Sequence, residues 1–280
     1  MRTTIDPIIT VPPNYQTHMQ NDCLAVVAFA DHTVRARVGG ANNVVNIPGK
    51  SGQVYTLHGV EIAIKVGVSL TGVQSGGLFE LENDAVDWKP CEIYTNTSQS
   101  SSPGVIPLHP TKISLHKPLP AGSNVSVFYT ASYAMTDMPI VTLIWSTEPW
   151  SGPQTFIKAT VGAALTQITY AVNNLAGCVI PANKGGKLVG FIAQVQSVIL
   201  VTTVTQGGNI RIHNDSCDPT IVPCEFAVGG LNALVTGGGE LLLERKAFSG
   251  DCPGNSTFFG DVQPTNATST LFQLMVVWEG

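Results

Sequence analysis

The chain has 280 residues, enough for one or two domains, and its apolar share of 44% is sufficient for sizeable cores. Charged residues make up 12%, about half the usual share, so Ser, Thr, Asn and Gly supply the polarity, as is typical of a β-rich surface with many turns. The net charge of −5 excludes the basic footprint of a nucleic-acid-binding protein, and we expect no nucleic-acid specificity.

Residues 1–14 are predicted to form an extended N-terminal arm. Three prolines argue against a helix there, Pro7, Pro12 and Pro13. No apolar segment follows Met1-Arg2, so we expect a protein made without a secretory leader. The longest apolar region, Leu188 to Val204, contains two glutamines and is too short to span a bilayer comfortably.

Residues 15–147 predict a series of short β-strands separated by turn residues. In chain order these are Leu24–Phe29, Thr33–Val38, Val54–Leu57, Val60–Leu70, Leu78–Leu81, Glu92–Tyr94, Lys112–Leu115, Val125–Tyr129 and Ile140–Trp145. No stretch keeps a helical period for three turns, and the best helical candidate is the short segment Pro153–Leu165. The pattern therefore predicts an all-β protein.

The second half of the chain repeats the first at an offset of 133 positions, which indicates a duplicated domain. The strongest matches at this offset are Pro90-Cys91-Glu92 with Pro223-Cys224-Glu225, Ile47-Pro48 with Ile180-Pro181, and Trp145 with Trp278. Asn83-Asp84 matches Asn214-Asp215 at an offset of 131, because the second half has two extra residues between its Asn-Asp and its Pro-Cys. The strand matches predicted are Gln167–Val172 with the strand at Val34, Leu188–Val204 with Val54–Leu70, Glu240–Glu244 with Lys112–Leu115, and Leu271–Trp278 with the closing strand. We therefore predict two domains, 15–147 and 148–280.

About eight short strands in each block favour a sandwich or a barrel, and the long connections between them favour a jelly roll over a meander. The two tryptophans of the repeat, Trp145 and Trp278, should lie in equivalent and largely buried places. Replacing either by Ala should then cost roughly 3–5 kcal/mol, as for other buried large-to-small changes.

The motifs of catalytic sites are missing from the sequence. Gly254-Asn255-Ser256-Thr257 lacks the final glycine of a nucleophile elbow, and no His-Glu-x-x-His segment occurs. Gly185-Gly186-Lys187 lacks the first glycine and the Ser/Thr of a phosphate loop. The histidines are scattered and none recurs in both halves: His18, His32, His58, His109, His116 and His213. We therefore predict no enzyme, with no catalytic, cofactor-binding or metal-binding residues.

Two polar segments leave alternatives open. Asn214-Asp215-Ser216-Cys217-Asp218 supplies oxygen ligands of the kind Ca²⁺ prefers, with Asp215 and Asp218 as the carboxylates. The same residues also suit an Asx turn, in which Asn and Asp bond their own backbone. Tyr133, Met135, Met138 and Trp150 suit either a sugar-binding platform or ordinary core packing.

The six cysteines form no Cys-x-x-Cys pair, and without a leader we expect reduced, buried thiols. Cys91 and Cys224 recur at equivalent positions, which fits small core residues. Cys217 and Cys224, which flank one short segment, are the pair to test first for a disulfide.

Two tandem β-barrels of about 133 residues with an N-terminal arm resemble the double jelly-roll major capsid proteins of tailless icosahedral viruses, especially those that contain a membrane. The resemblance covers the whole chain and rests on its internal repeats. It implies a virion protein that is made in the host cytoplasm. In this family three copies form a pseudo-hexameric tile, and tiles contact neighbouring capsomers and penton or minor capsid proteins. The arm would adapt between neighbours or reach an internal viral membrane.

Two other functions suit the same fold. A tandem jelly roll also serves as a carbohydrate- or receptor-binding protein, which should then be a monomer that binds glycans and loses binding on changes at Trp150 or Tyr133. A cupin-type enzyme would need a His-rich metal set on its strands, and His109 with His116 does not make one.

Overall fold

The computed structural model describes residues 24–27, 36–37, 44–66, 75–97, 111–131, 137–162, 171–197, 207–214, 216, 224–229, 244–264 and 270–280. The prediction of an all-β protein is confirmed over these ranges, where every regular element is a strand and none is a helix. The N-terminal arm, residues 1–14, lies outside the described residues.

Seventeen strands occupy the described part of the chain, and we call β1–β9 the first half and β10–β17 the second half. The first half contains β1 Leu24–Val27, β2 Ala36–Arg37, β3 Val44–Asn46, β4 Val54–Val66, β5 Ser75–Asn83, β6 Glu92–Thr97, β7 Thr111–Pro120, β8 Asn124–Ala131 and β9 Asp137–Pro149. The second half contains β10 Thr155–Val161, β11 Ala171–Val179, β12 Gly186–Ser197, β13 Gly207–Asn214, β14 Cys224–Gly229, β15 Glu244–Cys252, β16 Thr257–Pro264 and β17 Thr270–Glu279.

Each half forms two antiparallel sheets. The first half has one sheet in the order β1-β9-β4-β7 and another in the order β2-β8-β5-β6, with β3 also paired to β8. The second half has the orders β10-β17-β12-β15 and β11-β16-β13-β14. If β2 and β3 are counted as one interrupted strand, both halves place the first strand next to the last and the second next to the last but one. The two halves therefore have the same strand order.

The ladders of the two halves also share an irregularity. The pairing of β4 shifts register between Leu57 and Gly59, and that of β12 shifts between Leu188 and Gly190. Trp145 lies opposite Leu57, and Trp278 lies opposite Leu188. The sequence predicted two strands on either side of His58, but the structure has one strand with a bulge. A bulge adds a residue and a bend without ending the ladder.

Two further expectations about elements are wrong. The helical candidate beginning at Pro153 contains strand β10, because Phe156 and Ile157 bury their side chains and the segment pairs with β17. The counterpart of Lys112–Leu115 was predicted at Glu240–Glu244. In the described residues the strand that pairs with β12, as β7 pairs with β4, is β15, which begins at Glu244.

One turn occurs in both halves with the same hydrogen bonds. Ile47 N donates to Ser123 O and Gly122 N donates to Ile47 O (2.9 and 2.7 Å). At 133 positions further on, Ile180 N donates to Ser256 O and Asn255 N donates to Ile180 O (both 2.9 Å). Gly122 and Asn255 both have positive φ, 82° and 65°.

The buried side chains form two clusters that are unequally divided between the halves. The second cluster, which includes Ile210, Phe258 and Trp278, lies between the two sheets of the second half. The first cluster fills the first half and continues into the second through four side chains, those of Ile157, Ile192, Met275 and Val277. The two halves therefore share apolar packing.

Candidate functional site: the junction between the two halves

The junction forms where strand β6 begins beside strand β10. Cys91 and Ile157 make a parallel bridge, and the amide of Ile157 donates to the carbonyl of Pro90 (3.1 Å). Cys91 is buried, and burial raises the pKa of its thiol. The repeated Pro-Cys-Glu segment of the first half is thus the place where the second half attaches.

Lys117 is a fully buried cation at this junction. Its Nζ donates to the carbonyl of Trp88 (2.9 Å) and to Oε1 of Gln154 (3.3 Å). The ammonium group also lies 5.9 Å from the ring centroid of Trp88 and 4.9 Å from that of Phe156. Burial lowers the pKa of Lys117 to about 8, because the contacts offset only part of the lost hydration.

A second lysine crosses the junction from the other half. Lys184 Nζ lies 2.8 Å from Oδ2 of Asp87 and 4.8 Å from the ring centroid of Phe156. The hydrogen bond from Lys184 holds the pKa of the Asp87 carboxyl below its usual value. Gln154 Nε2 donates to the carbonyl of Asp87 (3.2 Å), which anchors the same loop to the linker between the halves.

Strand β6 is also bound along its length by second-half residues. The Glu92 carboxylate accepts from Lys158 Nζ through Oε1 and from the amide of Ala159 through Oε2 (3.2 Å for the latter). Gln194 Nε2 donates to the carbonyl of Tyr94 (2.8 Å). Burial raises the pKa of the Tyr94 phenol. Both apolar packing and polar contacts therefore fix one half against the other.

A cleft of about 390 Å³ opens over this junction. Its lining includes four carboxylates, from Glu80, Glu82, Asp87 and Glu92, and three lysines. Each lysine is ion-paired within the cleft: Lys89 with Glu82, Lys158 with Glu92, and Lys184 with Asp87. The Lys158–Glu92 and Lys184–Asp87 pairs join the two halves, whereas the Lys89–Glu82 pair lies within the first half.

The glycine-lysine segment at the start of β12 has a packing role. A Cβ on Gly186 would lie 1.8 Å from the carbonyl oxygen of Glu279, and one on Gly185 would lie 2.7 Å from the amide nitrogen of Gly254. Lys187 pairs with Asp251 on the neighbouring strand. These glycines allow the strand to pass close to the end of the chain.

Of the three histidines within the described residues, His58 and His116 lie on the paired strands β4 and β7 of the first half, and His213 lies on β13 of the second half. His58 Nε2 lies 2.8 Å from Ser146 Oγ, and burial lowers the pKa of its ring. His116 Nδ1 lies 2.7 Å from the carbonyl of Pro153. His213 stacks on Phe259 and lies 3.3 Å from Asp261 Oδ1. Among the described residues, no group of three His, Cys, Asp or Glu side chains is arranged to hold a metal ion.

The asparagines of both repeated Asn-Asp pairs make Asx turns. Asn83 Oδ1 accepts from the amides of Ala85 and Val86 (2.9 and 3.1 Å), and Asn214 Oδ1 accepts from the amide of Ser216 (2.7 Å). The Asp84 carboxylate binds the amide and side chain of Asn124, and these bonds lower its pKa. The calcium candidates Asp215 and Asp218 lie outside the described residues, as does Cys217.

The aromatic platform is only partly described. Trp150 is half-buried, its Nε1 is buried without a hydrogen-bond partner, and its ring lies 6.3 Å from His116. Tyr133 and Met135 lie outside the described residues. Cys91, Cys178 and Cys252 are buried and lie outside any disulfide, as expected.

Comparison with known proteins assigns the chain to no family. No family model and no curated protein matches the chain. One solved structure to which it is similar is that of the Macrobrachium rosenbergii nodavirus, with 12% identity over 100% of this chain and 99% of that chain, and a TM-score of 0.22. Within the described residues, no helix has the length and apolar character needed to cross a membrane.

Proposed function

We propose that the chain is a structural virion protein, a double jelly-roll major capsid protein whose trimers form pseudo-hexameric tiles of an icosahedral shell. The observation that carries this proposal is the strand order. Numbered within each half, with β2 and β3 as one strand, both halves have sheets in the order 1-8-3-6 and 2-7-4-5. That order is the one expected of a jelly roll, in which eight strands form two facing sheets.

The junction supports a building-block role. A shell subunit transmits load between its neighbours, so its two barrels must keep a fixed relation. Here Ile157, Met275 and Val277 pack in the core of the first half, and Lys117 and Glu92 make polar contacts across the junction. The interface between the halves combines apolar packing with hydrogen-bonded polar groups. Domains that move independently usually share a smaller and more polar contact.

The proposed partners are two further copies of the chain in the trimer, then neighbouring capsomers and penton or minor capsid proteins. The proposed location is the virion, after synthesis in the host cytoplasm. The protein acts as architecture, and we assign it no catalytic residue. Few charged residues, 12% of the chain, lower the desolvation cost of wide lateral contacts between tiles.

The proposal is tested by the mass of the purified protein in solution and by electron microscopy of concentrated samples. Light scattering should give three times 29.5 kDa, and micrographs should show hexagonal tiles or closed shells. A monomer that binds a glycan array, with binding lost in Trp150→Ala, would support the carbohydrate-binding alternative instead.

A further inference from the structure

The second half covers one edge of a first-half sheet. Strand β6 is the last strand of its sheet, and β10 lies against its outer side at Cys91. An edge strand presents backbone groups that can pair with another segment. Here the amide of Ile157 binds the Pro90 carbonyl, and the amide of Ala159 binds the Glu92 carboxylate (3.1 and 3.2 Å).

The corresponding edge of the second half is β14, and among the described residues no strand pairs with its outer side. Strand β14 is the last strand of its sheet, and it starts with the repeated Cys224-Glu225. Glu225 lies opposite Arg211 as Glu92 lies opposite Glu80. The Glu92 side chain is only 15% exposed, whereas that of Glu225 is 46% exposed. The Cys-Glu segment that contacts the second half at Glu92 is thus repeated at Glu225, where its glutamate is more exposed.

The chain also carries a second version of the strand that does the covering. Strand β10 is the edge strand next to β17, and β1 is the edge strand next to β9. Ala159 lies opposite Met275, and Ala25 lies opposite Thr142, which is 133 positions before Met275. By the same register, Leu24 takes the place of Lys158. The ion pair is therefore not repeated, but the backbone amide that binds the carboxylate is.

We propose that edge strand β14 of one chain binds edge strand β1 of a second copy, repeating between chains the contact that β6 and β10 make within the chain. In this contact the Glu225 carboxylate accepts from the amide of Ala25 of the next copy. The surface is heterologous, so each copy uses β14 toward one neighbour and β1 toward the other. A ring of three chains closes when the two kinds of contact have the same geometry. This inference rests on the proposed trimer and specifies its interface.

Site-directed cross-linking tests the pairing in the full-length protein. A double variant, Leu24→Cys with Glu225→Cys, is treated with a short bis-maleimide and run on a denaturing gel. The positive control is Lys158→Cys with Glu92→Cys, which should cross-link within a single chain. The native chain, with its six cysteines, gives the background, and each single variant is run beside it. We expect covalent two-chain and three-chain species only from the first double variant.

Charge reversal gives an independent measurement. Glu225→Lys removes the acceptor from the proposed contact, so light scattering should show monomers in place of trimers, while Glu225→Gln, which keeps an oxygen, should retain trimers. Glu148→Lys makes the same charge change at an exposed position on β9 and should leave the trimer intact.

The outcomes separate this inference from the proposed function. A trimer that gives no interchain product from Leu24→Cys with Glu225→Cys, or that survives Glu225→Lys, overturns the inferred interface and leaves the capsid proposal standing. A native chain that is monomeric at all concentrations overturns both.

Discussion

At the scale of single residues, Lys117 shows how the junction tolerates a buried charge. The alternation of Ile113, Leu115, Lys117 and Leu119 places the lysine among inward-facing positions of β7. A carbonyl, an amide oxygen and two ring faces receive the ammonium group. These contacts do not fully replace water, and the pKa of Lys117 falls to about 8.

This pKa predicts a pH-dependent stability. Between pH 8 and 10.5 the unfolded chain holds the Lys117 proton and the folded chain does not, so the free energy of unfolding rises with pH across that window. Below pH 8 the full penalty of a buried charge is present. Relative to Lys117→Met, the native chain should gain about 2–3 kcal/mol from pH 7.5 to 10.5, measured by urea unfolding.

The matched control for this experiment is Lys50→Met, which removes an exposed lysine from a turn. Its difference from the native chain should stay constant over the same pH range. A constant difference for Lys117→Met as well would contradict a depressed pKa at the junction.

The paired tryptophans differ in one hydrogen bond. Trp145 and Trp278 are both buried, as predicted, and each lies beside an aromatic ring, that of Tyr55 or of Phe156. Trp278 Nε1 donates to the Lys184 carbonyl (2.6 Å), whereas Trp145 Nε1 is buried without a partner. Replacing either tryptophan should therefore remove an equal stabilisation from apolar packing, but only the change at Trp278 also removes a hydrogen bond.

Replacement by Ala and by Phe separates packing from hydrogen bonding. Each Trp→Ala change should lower the free energy of unfolding by about 3–5 kcal/mol. Trp278→Phe should cost about 0.5–1.5 kcal/mol more than Trp145→Phe, because it removes the part-buried hydrogen bond to the Lys184 carbonyl. Chemical denaturation measures all four variants, and equal costs for the two Phe variants would show that the Lys184 bond contributes nothing.

At the scale of elements, the turn before β8 and the turn before β16 adopt the same backbone conformation with different residues. Ser123 and Ser256 each donate through Oγ to the carbonyl of the proline three positions earlier (both 2.7 Å). The left-handed position is Gly122 in one turn and Asn255 in the other. Both residue types tolerate positive φ, so the conformation is kept while the sequence varies.

Substitutions at this position should report backbone strain alone. A Cβ at Gly122 would meet no atom within 4 Å, so crowding contributes nothing. Gly122→Ala should cost about 1–2 kcal/mol, and Gly122→Asn less, since Asn visits this conformation more readily. Asn255→Gly should be close to neutral. The measurement is thermal or urea unfolding, and an equal cost for Ala and Asn at position 122 would exclude strain as the cause.

Much of this element structure follows from sequence because strands and tight turns depend on local patterns. Alternation predicts strands β4, β5, β7, β8 and β9, and the offset of 133 predicts which turns correspond. The bulges at His58 and Val189 were missed, since one extra residue in a ladder interrupts the alternation that indicates a strand. β10 was missed because its short apolar run suits a buried helix equally well.

The junction was predictable only from its first-half side. The recurrence of Pro-Cys-Glu indicates an important segment in the first half. On the other side of the junction lie Gln154, Lys158 and Lys184, and no sequence motif marks these residues as contacts. Which distant strand covers an edge depends on the packing of two whole sheets. Lys117 follows Ile113 and Leu115 at every second position of β7, and this alternation is the sign in the sequence that its side chain points inward.

At the scale of the whole molecule, the uneven division of the core makes the halves interdependent. Ile157 of β10 belongs to the apolar cluster of the first half, although its strand pairs with β17. The second half has its own cluster between its two sheets. Cooperative unfolding therefore depends on the few side chains that link the two clusters across the junction.

Two isoleucine variants test this dependence. Ile157→Ala and Ile212→Ala delete the same atoms from fully buried positions, one at the junction and one inside the second half. Each should cost about 2–5 kcal/mol. Ile212→Ala should lower the midpoint of a single calorimetric transition, because both halves still unfold together. Ile157→Ala should broaden or split the transition, because it removes apolar contact between the halves. A single sharp transition for Ile157→Ala, with the same shift as Ile212→Ala, would show that the polar contacts of Lys117, Lys184 and Glu92 suffice to couple the halves.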